Sequence, residues 1–144
     1  MSRSLILAAA LALMPLPAAA ETSLIDTSVL PSQDVYDVAT LTPLALAPDG
    51  SPAVVLLDIE AGEVVPPHRA ESGVRLVTVI SGEMSWGDGS DVDEARETVH
   101  PQGSILVLPA GVDHWVAARN GALRLQLVIL DDEAPAPGVA EQMR

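Results

Sequence analysis

Apolar positions along this chain fall in short runs of strand length, each closed by glycine or proline. Ala53–Glu60 is rich in Val, Leu and Ile. Val74–Ile80, Glu83–Trp86, Ser104–Leu108, Asp113–Ala118 and Leu123–Leu130 follow it as further predicted strands. Between them stand "AGE", "SGE", "GDGSD", "PQG", "PAG" and "RNG". Each is a turn signal, because Gly takes positive φ without strain and Pro or Asp favours turn entry. No stretch keeps a helical period over three turns. Short β-rich runs at turn-bounded spacing predict an all-β sandwich or barrel. Ahead of this region, residues 21–52 mix Ser, Thr, Pro and Asp with short apolar patches. They predict an extended leader with strands at Val35–Leu41 and Leu44–Ala47, open to exchange between subunits, and a turn cluster "APDGSP" at Ala47–Pro52.

The two ends read differently. Arg3 supplies a positive start, Leu5 to Leu16 an apolar core, and Ala18-Ala19-Ala20 a small-residue cleavage site before Glu21. That order predicts a secretory signal peptide over 1–20. Its apolar core falls short of the ~20 residues a membrane span needs. An uncleaved anchor is the alternative. No cysteine follows the cleavage site, so nothing points to a lipoprotein. The tail 131–144, "DDEAPAPGVAEQMR", is acidic, rich in Pro and Ala, and predicts a loose end. The expected organisation is a signal peptide (1–20), a leader (21–52), a barrel (53–130) and a tail (131–144). The shape of the signal peptide predicts secretion, to a bacterial periplasm.

Charge narrows the partners. The chain carries 7 basic residues, all arginine, against 20 acidic ones, for a formal net charge of −13. Such a surface does not attract nucleic acid or anionic lipid. There is no cysteine, and the aromatic residues are Tyr36, Trp86 and Trp115 alone. The core must therefore be built from Val, Leu, Ile and Ala, or be completed by a second copy of the chain.

Two stretches echo each other. "AGEVVPPH" and "PAGVDH" each bring a turn, a proline and a histidine to a strand. Set out in full, Gly62, His68, Ala70, Arg75 and Gly82 keep the spacing G-x5-H-x-H-x4-E-x6-G. Gly103, Pro109, Gly111, His114 and Ala118 keep the spacing G-x5-P-x-G-x2-H-x3-N. The paired motifs resemble those of the cupin family, directly over Gly62–Ala118 and with flanking strands over about Ala53–Leu130. The resemblance implies an all-β, single-domain jelly-roll barrel of cupin type, usually a homodimer. Metal-binding cupins take two His and a Glu from the first motif and one His from the second. Here Ala70 stands in place of the second His, Arg75 in place of the Glu, and Ala118 in place of the closing Asn. His68 and His114 remain. Cupins include dioxygenases, decarboxylases, isomerases, storage proteins and ligand sensors, so the fold does not name the activity.

Two readings of this reduced site stay open. Two imidazoles can hold a divalent transition metal (Fe, Mn, Zn or Ni), but stable sites use three or four protein donors. Glu71, three residues after His68 on a Gly-containing loop, would complete a two-His, one-carboxylate set. His100, before "PQG", is a second substitute ligand. Either would support a metal-dependent dioxygenase, isomerase or lyase. Against that, the resemblance places Arg75 inside the barrel beside His68 and His114, where a guanidinium repels a cation. Arg75 needs a partner: Glu71, another internal acid, or the carboxylate or phosphate of a ligand held in a fork. A one-residue slip would instead turn it outward. With Arg75 inward, His68, Arg75 and His114 form a pocket for a small, anionic organic molecule, and neutral histidines there could also move a proton. Trp115 should face away from the barrel interior, toward a dimer contact or the leader. Trp86 is placed at the mouth. The acidic loop Asp88–Glu94 lacks an EF-hand pattern and reads as a solvated hairpin loop.

Overall fold

The computed structural model describes residues 21–130; the predicted signal peptide and tail lie outside the described residues. Two antiparallel sheets face each other. The larger contains β1 (Gln33–Val35), β2 (Ala39–Leu46), β3 (Pro52–Ile59), β5 (Val74–Ser81), β8 (Ile105–Pro109) and β10 (Leu123–Leu130), in the order β1-β2-β3-β10-β5-β8. The smaller contains β4 (Val64–His68), β6 (Met84–Asp88), β7 (Thr98–His100) and β9 (His114–Ala117), in the order β4-β9-β6-β7. The chain passes repeatedly from one sheet to the other, as a jelly roll does. Alternation turns Val55, Ile59, Val77, Val79, Leu123 and Leu125 of the larger sheet inward, against Val65, Met84, Trp86 and Val116 of the smaller. Burying each aliphatic side chain contributes roughly 1.5–3 kcal/mol.

All six strands predicted over 53–130 are present to within one or two residues. The turn glycines behave as their motif requires. Gly82 has φ 85°, and a Cβ there would strike the carbonyl of Ala122. Two strands were not expected. β4 reads as a loop because Pro66 and Pro67 lack N–H groups, yet it is an edge strand with a register shift between Val65 and His68, where proline is tolerated. β7 is three residues long and too short to leave a pattern.

The leader also departs from expectation. Val35–Leu41 is not one strand. The chain reverses at Tyr36 and Asp37, both with positive φ (56° and 59°), and β1 folds back on β2. Two consecutive positive φ values are the primed-turn geometry that matches strand twist in a tight hairpin, here without glycine. Leu44–Ala47 is not a separate strand either; residues 44–46 continue β2 past a register shift after Pro43. Within the chain β2 pairs with β3, so β1 and β2 extend the larger sheet.

Trp115 does face away from the barrel interior, but neither the leader nor a second subunit is needed to cover it. It is fully buried beneath the segment that follows β6. Its Nε1 donates to Glu97 Oε1 at 2.8 Å, and Arg119 donates to the same carboxylate through Nε (3.0 Å) and Nη2 (2.7 Å). The forked Arg119 bond, ahead of the other contacts, holds the Glu97 carboxyl below its usual range. Asp93 caps the 3-10 turn Glu94–Arg96 by accepting from Ala95 N. The acidic loop is thus a cover for Trp115 as well as a solvated surface. The indole lies against Gly87, where a Cβ would overlap the ring. Gly87→Ala should therefore destabilise the protein by about 1–3 kcal/mol through overpacking. Denaturant unfolding measures it; an unchanged midpoint would mean the indole is free to shift.

Candidate functional site

His68 and His114 stand directly opposite each other on β4 and β9. Their ring centroids are 4.3 Å apart. His68 Nδ1 lies 2.8 Å from the Pro66 carbonyl and His114 Nδ1 lies 3.0 Å from the Val112 carbonyl. A carbonyl can only accept, so Nδ1 of each ring carries a proton, and Nε2 has no hydrogen-bond partner among the described residues. The two rings belong to a longer row. Trp86 stacks on His114 (4.6 Å between centroids, 5° between planes), and Tyr36 lies 4.9 Å from His68. The Trp86 indole is itself fixed by a 2.9 Å bond to Asp88. His114 is buried, and that burial lowers its pKa; the bond to the Val112 carbonyl and the Asp88 charge oppose the shift, while the charges of His68 and Arg75 add to it. It is therefore a neutral imidazole at neutral pH.

Arg75 projects from β5 into the same cavity, a space of about 450 Å³ that His68, His114, Tyr36 and Trp86 also line. Burial lowers the pKa of its guanidinium, the Tyr36 phenol acting the other way, but an arginine stays charged. Its hydrogen bond goes to the Ser72 carbonyl at 3.2 Å. Arg69 is paired with Asp113, Arg119 with Glu97 and Arg124 with Asp58. Arg75 has no carboxylate partner among the described residues. Arg96, outside the barrel, likewise bonds to a backbone carbonyl, that of Asp88, so Arg75 is set apart by its place in the cavity.

The substitute metal ligands are not brought to the pair. Glu71 is exposed on the loop after β4 and does not line the cavity, nor does it bridge to Arg75. His100 ends β7 and lines a different hollow, with Asp88, Arg96 and Thr98. Among the described residues no three His, Cys, Asp or Glu side chains are grouped to hold a metal ion. Two imidazoles beside an uncompensated guanidinium do not fit a resident divalent metal, which asks for more donors and a negative field. Ala70 stands buried in the cavity wall where a third imidazole would be needed.

Tyr36 was missed by sequence reasoning. It is one of only three aromatic residues, but "VYDV" carries no glycine to mark the hairpin that delivers it to His68. Another surface hollow, about 650 Å³, lies elsewhere. It is walled by Asp34, Asp37, Asp58, Glu60, Glu63 and Arg124, and holds neither histidine.

Neither family models nor curated proteins match this sequence. Solved structures do. The chain superposes on a predicted oxalate decarboxylase from Thermotoga maritima with a TM-score of 0.60 at 14% identity, covering 76% of this chain and 99% of that one. The polyketide cyclase RemF from Streptomyces resistomycificus gives 0.59 at 17% identity, over 85% and 94%. An RmlC-like cupin family protein with a double-stranded β-helix fold, from Methanocaldococcus jannaschii, gives 0.53 at 17% identity, over 70% and 89%. The chain therefore has the cupin fold. At these identities the likeness establishes the fold and leaves the activity to the site.

His114 also gives the protein a pH signature. Its pKa is lower folded than unfolded, where it titrates near ~6.5. Below that value the unfolded state takes the proton first, so the His114 contribution is complete above it and lost as pH falls. Thermal unfolding followed from pH 7 to pH 5 should show a falling midpoint, with a shallower fall in His114→Phe. An identical slope in the variant would mean that His114 is not buried neutral.

Proposed function

We propose that this protein is a secreted cupin-fold binding protein whose barrel pocket takes a small organic anion. The observation that carries the reading is Arg75, a cation in the cavity with no carboxylate partner among the described residues. A guanidinium held partly out of water, with one backbone carbonyl as its hydrogen-bond partner among the described residues, keeps donors free for an anion. A ligand carboxylate in the guanidinium fork would engage them with two parallel, charge-assisted bonds. The free Nε2 atoms of His68 and His114 would then accept from, or orient, the rest of the ligand head. The sequence pattern of residues 1–20 supports an extracytoplasmic setting.

One observation favours a metal-dependent enzyme instead. Both imidazoles are tied at Nδ1 to backbone carbonyls, an anchoring also common among metal-bound histidines. The two readings separate in one preparation of the protein, purified without chelator or affinity tag. The binding reading predicts no near-stoichiometric Fe, Mn, Zn or Ni after incubation with each ion. It also predicts that small organic acids raise the unfolding midpoint, with affinity at least tenfold weaker in Arg75→Gln. A near-stoichiometric metal that disappears in a His68→Ala/His114→Ala double variant would overturn it.

A further inference from the structure

We infer that the ligand is a monocarboxylate with a hydrocarbon body, rather than a polyhydroxylated or multiply charged acid. The inference rests on the anion reading above and concerns what the rest of the cavity accepts. Away from Arg75 the wall is aliphatic: Val55, Val77, Leu108, Val116, Leu125 and Leu127, drawn from both sheets. The side-chain polar groups of the lining are confined to Tyr36, His68, Arg69, Arg75, Trp86 and His114. Among the described residues the lining contains no Ser, Thr, Asn, Gln, Asp or Glu. The Trp86 N–H is already bonded to Asp88, and each histidine has already spent its Nδ1 proton on a carbonyl. Against the aliphatic part of this wall a ligand hydroxyl would lose its water and gain no partner, at a cost of about 1–3 kcal/mol each; acceptors for a hydroxyl stand only at the Tyr36 and histidine end of the cavity.

The charge count is equally selective. Arg69 reaches the cavity too, but its Nε is 2.9 Å from Asp113. One uncompensated guanidinium remains, which matches one carboxylate. A second carboxylate would meet either the aliphatic wall or a protein of net charge −13. Size sets the last bound. A space of about 450 Å³ holds roughly 15 water-sized atoms at ~30 Å³ each. That is a carboxylate head and a body of medium length. The body would lie along the row of rings and the aliphatic floor, with the carboxylate head turned to the Arg75 guanidinium.

Four six-carbon probes isolate these features: hexanoate, adipate, glucuronate and hexanamide. Each is titrated calorimetrically into the protein and into Arg75→Gln, with acetate and octanoate extending the series. Hexanoate should bind at least tenfold tighter than adipate, glucuronate or hexanamide. Affinity should climb from acetate to octanoate by up to about fourfold per added methylene. In Arg75→Gln the preference for hexanoate over hexanamide should vanish. Adipate or glucuronate binding as tightly as hexanoate, and still depending on Arg75, would overturn this inference and leave the anion site standing. Hexanamide binding as tightly as hexanoate in the unmutated protein would instead sink the anion reading itself. Absence of saturable binding for both hexanoate and octanoate would exclude the class proposed here.

Discussion

Strand β5 is hydrogen-bonded on both sides, to β10 and to β8, and that double pairing decides what the barrel contains. Arg75 is locked opposite Ile129 on one neighbour and Leu108 on the other. Val77 and Val79 follow it inward into the core. A slip of one residue would carry all three to the outer face and bring Leu76 and Thr78 inside. Buried valines therefore hold the arginine in place. Their removal from water outweighs the discomfort of a partly desolvated guanidinium two residues away. The position of Arg75 is imposed by the sheet and by the burial of its neighbours on that face.

The smaller sheet supplies the opposite wall by the same means. Pairing of β4 with β9 sets His68 against His114, and the backbone carbonyls of Pro66 and Val112 orient the rings. Trp86, one strand further, clamps His114 by stacking. Behind this sheet Trp115, Glu97 and Arg119 form a second, unrelated network that stiffens β9 from its far side. The same acid-rich chain thus treats its arginines in two ways. Arg119 and Arg124 are neutralised by forked carboxylates, while Arg75 has only a backbone carbonyl as hydrogen-bond partner among the described residues.

Much of this was legible in the sequence, for physical reasons that also explain the gaps. Turn glycines and the Pro109-x-Gly111 corner are local, so the strands between them could be placed. The inward position of Arg75 followed from motif spacing plus alternation. His68 and His114 were legible as a pair because the two motifs converge in this kind of barrel. What stayed hidden depends on non-local or unusual backbone features. The Tyr36–Asp37 reversal uses positive φ without glycine. Strand β4 contains two prolines that an edge position excuses. The Glu97–Arg119 pair joins residues 22 apart in sequence, and no local pattern announces it. Glu71 looked like a ligand by spacing alone, but its loop points it to solvent.

The central claim is that Arg75 is held in the barrel without compensation until a ligand supplies it. Its most direct test is the stability of Arg75→Met in ligand-free buffer, measured by equilibrium denaturation beside the unmutated protein. Methionine keeps the unbranched, space-filling stem and discards the charge. An arginine that waits for an anion strains the empty barrel, so the variant should be more stable than the parent. A less stable variant would show that Arg75 is already satisfied within the fold, and would contradict the account.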